Sequence, residues 1–408
     1  MRTISIEQVR RVLQDIPENP RVLVSGNFAT PKSLLREFDS AVPKYILHML
    51  NAQVGIPDRD GVTYETAFVG PGMRNSPRLN YIPSRLSMLP VILRDHTIPD
   101  VVLLHTSTRR FDTVSLGTEV NVLPAAIETV RDRGGIVIAQ ANKNMPYTYG
   151  DAQIYENEID FLIEIDEPLL EHKQGKGNPV AKAIGEKIAE MVKDQSTLQM
   201  GIGSIPDAVL DLLHNRKGLR VWTEMFSDGI LNLEKLGALD NEVPITASFL
   251  FGTRELYDWV NLNRRIQMLR TEKTNNPSNI AKQARMTSVN AALQVDLFDQ
   301  ANASRINGKI YSGFGGSTDF IVGSLHSRGG HSFMALPSWH EKSKTSKIVP
   351  MIDEGVTSFQ HSYVVTEHGI ARCFGRTERE QAQNIINHAA HPSARKELAE
   401  AGVKMGIL

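Results

Sequence analysis

Glu224 closes the apolar run Leu219-Arg-Val-Trp-Thr223. Such a run reads as a strand, and the carboxyl end of a strand is where open α/β folds place their chemistry. Upstream stands a second polar feature, Gly201-Ile202-Gly203-Ser204-Ile205, which follows the strand candidate Ser196 to Met200. Gly201 and Gly203 let the backbone turn tightly and bring bare N–H groups close to a ligand. Ser204 reads as an N-cap with Asp207 three residues on, and Pro206 is tolerated in the first helical turn. Ile205, Ala208, Val209, Leu212 and Leu213 then repeat at helical spacing. A helix start of this kind suits a phosphate or an oxyanion.

Three readings of this unit stand open. One is a dinucleotide fold in which Glu224 holds a ribose hydroxyl, with Pro206 in place of the third glycine of that fingerprint. Another is a nucleophilic carboxylate beside a coenzyme A site. The last is a structural strand–turn–helix with a surface glutamate.

Other clusters bear on the choice. Tyr311-Ser-Gly-Phe-Gly315-Gly316-Ser-Thr-Asp319 can aim the N–H groups of Gly315 and Gly316 at a developing oxyanion, or can be a tight bend. His388 and His391 are three apart, but no HExxH or cysteine pair accompanies them, so no metal site is assigned. Cys373 reads as a buried, inert thiol. Ser25 and Ser87 lack the GxSxG elbow of serine hydrolases. The polar run Thr271 to Pro277 reads as a solvated loop, and its Glu272 is a rival carboxylate to Glu224.

The elements that must position these residues follow an α/β pattern. Strand candidates are Arg21–Ser25, Asp100–His105, Ile136–Ala139 and Ile159–Glu164, with helices over 32–40 and 122–133. Pro43 breaks the first of those helices, and a second helical stretch is expected from there to Leu50. The alternation argues for a parallel sheet covered by helices. A polar segment rich in glycine and lysine, 171–179, reads as a linker, after which the alternation resumes with a helix over 180–192. The expected domains are therefore 1–178 and 179–408, two tandem α/β halves with mostly parallel sheets and an active-site cleft between them. The tail 376–404 reads as helical and charged.

Composition sets further bounds. At 408 residues, two domains are the natural expectation. A net charge of −1 gives no pull toward nucleic acid or anionic membrane. A single cysteine excludes an intrachain disulfide and points to a reducing compartment. No transmembrane run is present, and the first residues read as an amphipathic helix and not as a signal peptide, so the cytoplasm is the expected location.

Taken together, the chain resembles the acetyl-CoA hydrolase/transferase family, of the 4-hydroxybutyrate CoA-transferase type. The likeness is carried by Tyr81–Ser87, Ser115–Val120, Asn142–Pro146, Gly201–Val209, Thr223–Gly229, Val289–Asp296, Tyr311–Gly316, Val365–Ala371 and His391-Pro392. The resemblance implies a glutamate that forms a covalent CoA thioester, and Glu224 occupies that position. It implies that Gly201, Ile202, Gly203, Ser204 and Ile205 bind coenzyme A. It also implies that Gly315, Gly316, Tyr311 and Ala292 line the pantetheine or the oxyanion. No metal is implied, and the assembly expected is a homodimer or higher homo-oligomer. The chain departs from the family pattern at Trp222, where a histidine is usual, at Arg109–Asp112, and at Pro337–Lys344. The added basic groups imply room for a second carboxylate, as in succinate or itaconate.

The reading that results is an acyl-CoA:carboxylate CoA-transferase acting through Glu224. An acyl-CoA hydrolase on the same fold is the alternative, and an NAD(P)-dependent oxidoreductase is a remote one.

Overall fold

The computed structural model describes residues 1–172, 175, 177–356 and 361–408. Three positions of the expected linker, Lys173, Gln174 and Lys176, lie outside the described residues. The chain forms two compact units. The first comprises Met1–Lys173, Pro244–Thr274 and Ile310–Gly315; the second comprises Gln174–Val243, Asn275–Lys309 and Gly316–Leu408. The units therefore alternate along the chain, where the sequence suggests a single boundary after residue 178.

The first unit is built on an eight-stranded sheet. Its strands are β1 (Arg2–Thr3), β2 (Arg21–Val24), β3 (Tyr45–His48), β4 (Val62–Thr66), β5 (Leu79–Tyr81), β6 (Val101–Ser107), β7 (Ile136–Asn142) and β8 (Phe161–Ile165). They lie in the order β1-β8-β7-β6-β2-β3-β4-β5, and every pairing is parallel. The chain winds from β2 out to β5, then returns to lay β6 on the other side of β2. That reversal is a topological switch point, the usual location of ligands in such sheets. Every residue of β6 is buried, as a strand covered on both faces requires. The helix α1 (Lys32–Ala41) buries Leu34, Leu35 and Phe38. The helix α2 (Leu123–Asp132) buries Leu123, Ala126, Ile127 and Val130, a stripe at i, i+3, i+4 and i+7.

Two local expectations fail here. The stretch after Pro43 is strand β3, not helix: Tyr45 and Leu47 are fully buried, and β2 and β4 on either side satisfy its backbone groups. Sheet pairing outweighs the helical preference of a short segment. The expected first helix shrinks to Val9–Val12 because Arg2–Thr3 is drawn into the sheet beside β8.

Residues 244–274 add a small parallel sheet to the same unit. Ile245–Ala247 pairs with Ile266–Met268, which pairs in turn with Tyr149–Gly150.

The second unit carries a six-stranded sheet of β9 (Thr197–Met200), β10 (Arg220–Val221), β11 (Met286–Ala291), β12 (His331–Ala335), β13 (Tyr363–Thr366) and β14 (Gly369–Arg372). The order is β10-β9-β11-β12-β13-β14, parallel except for the terminal β13–β14 hairpin. The helix α3 (Pro179–Met191) starts where the Asn178 side chain accepts the Ala181 N–H at 2.8 Å. It packs closely on α4 (Ser204–Leu212), so that a Cβ on Gly185 would lie 3.0 Å from the Ala208 Cβ. The tail is helical in pieces, Glu378–Asn384 and Arg395–Lys404, because Pro392 interrupts it. Among the described residues, no helix is long and apolar enough to cross a membrane.

Candidate active site

The carboxyl edge of the second unit's sheet gathers several of the residues that the sequence singled out. Parallel pairing sets Leu198 of β9 beside Val221 of β10, and Met200 of β9 beside Val289 of β11. The turn after β9, Glu224 after β10 and Ala292 after β11 therefore emerge at the same end of adjacent strands. The Thr223 hydroxyl fixes the approach to Glu224 by donating to the Met225 carbonyl at 2.8 Å.

In the turn, Gly203 takes φ +125°, a conformation that glycine alone adopts at no steric cost. Gly203, and not Ser204, is the N-cap of α4. The expected Ser204–Asp207 capping box is thus replaced by the Asp207 N–H donating to the Gly203 carbonyl at 3.1 Å. Ile202 is 47% exposed, Ser204 is also exposed, and Ile205 is buried.

Glu224 is held by two neutral donors. The Asn275 side-chain amide donates to Glu224 Oε2 at 2.9 Å, and the Gly316 N–H also bonds the carboxylate. Asp319, fully buried in the first turn of α5 (Ser317–His326), adds a nearby negative charge. Burial of the Glu224 carboxyl is the largest influence and raises its pKa from 4.5 to about 7; the Asn275 hydrogen bond opposes the rise, Asp319 adds to it, and the Gly316 N–H opposes it. A Cβ on Gly316 would sit 1.8 Å from Glu224 Oε2 and 2.2 Å from Asn275 Nδ2. Only glycine lets the peptide come this close.

Asn275 did not stand out in the sequence. The run 271–277 is not a solvated loop: Thr271–Thr274 is a short helix, and Thr271, Thr274 and Asn275 are fully buried. The available signal was the Asn275-Asn276-Pro277 triplet. Asn276 accepts the Ser278 N–H as a helix cap, which leaves Asn275 for another task. Glu272, the rival carboxylate, is paired with Arg270 at 2.6 Å.

Gly315 and Tyr311 belong to the first unit. Gly315 takes φ +57°, and its carbonyl accepts the Leu86 N–H at 2.8 Å. The Tyr311 ring lies 3.8 Å from the Arg74 guanidinium. Trp222 packs on Ile280, Met286 and Phe320. Pro337–Lys344 contains the first strand of a hairpin, whose Trp339 ring lies 4.6 Å from the His391 ring at a tilt of 31°. Cys373 is fully buried, and burial pushes its thiol pKa well up. Among the described residues, no group of three or more His, Cys, Asp or Glu is placed to hold a metal ion.

A carboxylate desolvated and gripped by one carboxamide and one peptide N–H is equipped to attack an electrophilic carbon. Its donors are already oriented toward oxygen charge and need no reorganisation as that charge moves.

Comparison with known proteins points the same way. Residues 252–402 match the family model for the acetyl-CoA hydrolase/transferase C-terminal domain. The chain is 36% identical to 4-hydroxybutyrate coenzyme A transferase of Clostridium kluyveri, over 95% of each protein. It is 37% identical to succinyl-CoA:cyclohexane-1-carboxylate CoA transferase of Geobacter metallireducens, over 80% of this chain and 76% of that protein. The solved 4-hydroxybutyrate CoA-transferase of Porphyromonas gingivalis superimposes with a TM-score of 0.81 at 30% identity, covering 99% of this chain and 98% of that one.

Proposed function

The chain belongs to the acetyl-CoA hydrolase/transferase family and is a CoA-transferase, and from that premise we propose that it moves CoA between small carboxylic acids through a thioester on Glu224. The observation that carries this reading is the Glu224 carboxylate held between the Asn275 amide and the Gly316 N–H.

The chemistry follows from the groups present. The Glu224 carboxylate attacks the carbonyl carbon of an acyl-CoA, forming a mixed anhydride and expelling CoA thiolate. The thiolate attacks the glutamyl carbonyl, which forms the enzyme thioester and releases the first acid as its carboxylate. An incoming carboxylate then attacks the thioester, and the same steps run in reverse to deliver a new acyl-CoA. The thioester energy stays covalent throughout, so the cycle calls for neither ATP nor a metal. Each tetrahedral intermediate places negative charge on oxygen, and the Gly316 N–H and the Asn275 amide are the donors at hand. The glycine turn Gly201–Ile205, with Ala292 on the same sheet edge, is the proposed CoA-binding side of the site; Tyr311 and Gly315 are proposed CoA-binding and oxyanion residues from the family likeness alone. The division into 1–178 and 179–408 is proposed only as the main change-over along the chain, since Pro244–Thr274 and Ile310–Gly315 return to the first unit.

The single cysteine supports a cytoplasmic enzyme. A homodimer is proposed from the family likeness and is checked by light scattering on the purified protein.

Intact mass after brief incubation with an acyl-CoA tests the central claim, with wild type compared to Glu224→Gln. A CoA-sized adduct in wild type alone is expected. Adduct on both proteins means that the wrong carboxylate has been chosen, and Glu272 is the next to test. Release of free CoA with no adduct and no dependence on an acceptor acid marks a hydrolase instead.

A further inference from the structure

The first unit holds a cavity of about 300 Å³ that contains none of the residues named for the transfer chemistry. It opens at the carboxyl ends of β6 and β7, one strand from the switch point, and residues 254–262 close its far side. Arg109, Arg110, Lys143 and Arg254 line it, against a single lining acid, Asp258. Three of these cations make ion pairs at exposed positions: Arg109 with Glu156 at 3.1 Å, Lys143 with Asp166 at 3.3 Å and Arg254 with Asp258 at 2.8 Å. Exposed pairs of this kind are weak and readily exchanged for a more highly charged partner. Arg110 has no carboxylate partner among the described residues; its guanidinium lies 5.7 Å from the Phe111 ring and 6.0 Å from the Tyr147 ring.

Phe111 is the second observation. Arg110 and Thr113 exchange backbone hydrogen bonds of 2.8 and 3.2 Å, so Phe111 is the first central residue of a two-residue reverse turn. It takes φ +57°, a position that such turns usually give to glycine, and its side chain is 86% exposed. A bulky residue kept in the left-handed region, with its ring in solvent, carries strain that folding does not repay. Strain of this kind concentrates at ligand clamps, and a solvent-facing ring beside a cationic pocket is a stacking platform.

We propose that this pocket binds a nucleotide, with its phosphates on Arg110 and the flanking cations and its base on Phe111. Arginine is suited to phosphate because its planar fork bonds two oxygens at once, and a polyanion matches the net positive lining. The ligand has two possible sources: the 3′-phosphorylated ADP end of CoA itself, or a separate nucleotide. The inference does not depend on the role given to Glu224, because binding is read whether or not transfer occurs.

Calorimetry on the full-length protein tests it, with ADP, adenosine 3′,5′-bisphosphate, inorganic pyrophosphate and succinate as probes. Wild type is expected to bind both nucleotides more tightly than succinate, and Arg110→Glu to weaken them by roughly tenfold or more. Phe111→Gly removes the ring and relieves the turn. It is expected to weaken the nucleotides by roughly fivefold or more while leaving pyrophosphate unchanged, with an unaltered or raised melting temperature showing that the fold is intact. Equal nucleotide affinity in wild type and Arg110→Glu overturns the proposal. So does succinate binding as tightly as the nucleotides, which marks a dicarboxylate pocket. Kinetics then separate the sources. If the nucleotides compete with acyl-CoA and Arg110→Glu raises KM for acyl-CoA at constant kcat, the ligand is CoA's own end. If both bind while KM for acyl-CoA is unmoved, it is a separate nucleotide.

Discussion

Residue type and place alone left Glu224 with three readings, and the family resemblance, not the spacing, singled it out as the proposed nucleophile. Its charge state was not legible, since that depends on burial, on Asn275 and Gly316, and on Asp319. With its pKa raised to about 7, the carboxyl is partly protonated at neutral pH. In the proposed mechanism the ionised form attacks, so kcat/KM for acyl-CoA is expected to rise with pH through about 7 and level off above it. Asp319→Asn removes one cause of the upward shift, and the midpoint of the profile is expected to move to lower pH; a midpoint that stays or rises refutes this assignment. Stability has the opposite sign. The folded carboxyl holds its proton more tightly than the unfolded chain, so stability falls as pH rises from about 4.5 to about 7. Urea midpoints measured across that range should show this loss in wild type and lack it in Glu224→Gln. Asn275 was not legible because a polar run written Thr-Asn-Asn-Pro looks the same in solvent as in a site.

At the scale of elements, periodicity located β2, β6, β7, β8, β9 and β10 and several helices, because burial on one stripe leaves a pattern in the chain, but it did not single out β4, β5, β11 or β12. It failed for residues 45–48, where the strand assignment depends on partners β2 and β4 that are distant in sequence. The start of α5 shows how an element's end becomes chemistry. Gly316 is its N-cap, and its N–H faces Glu224 instead of closing a turn. Gly316→Ala places a methyl group where Glu224 Oε2 and Asn275 Nδ2 now lie, at 1.8 and 2.2 Å. Transfer activity is expected to drop by roughly a hundredfold or more, as when a donor to a developing oxyanion is lost. Circular dichroism should stay close to wild type. Near-normal kcat in this variant would show that the Glu224–Gly316 contact is not used in turnover.

At the scale of the whole molecule, the chain crosses between its units at several points. Residues 244–274 supply the first unit with the strands Ile245–Ala247 and Ile266–Met268, and Tyr149–Gly150 pairs with the second of these. A fragment ending at 178 therefore lacks part of the unit it is meant to represent. It is expected to melt without a cooperative transition, whereas the full chain melts cooperatively; a sharp transition in the fragment would show that the first half folds alone.

The α/β class, the alternation of elements and the two glycine turns were determined by the sequence itself. Strand burial, turn conformation and helix amphipathicity act over a few residues and leave periodic traces. Which groups meet Glu224 was decided only in three dimensions. Asn275 and Gly316 lie 51 and 92 residues further on. The same holds for the basic pocket, where residues near 110, 143 and 254 converge. Such convergence follows from sheet order and packing, which no local spacing encodes.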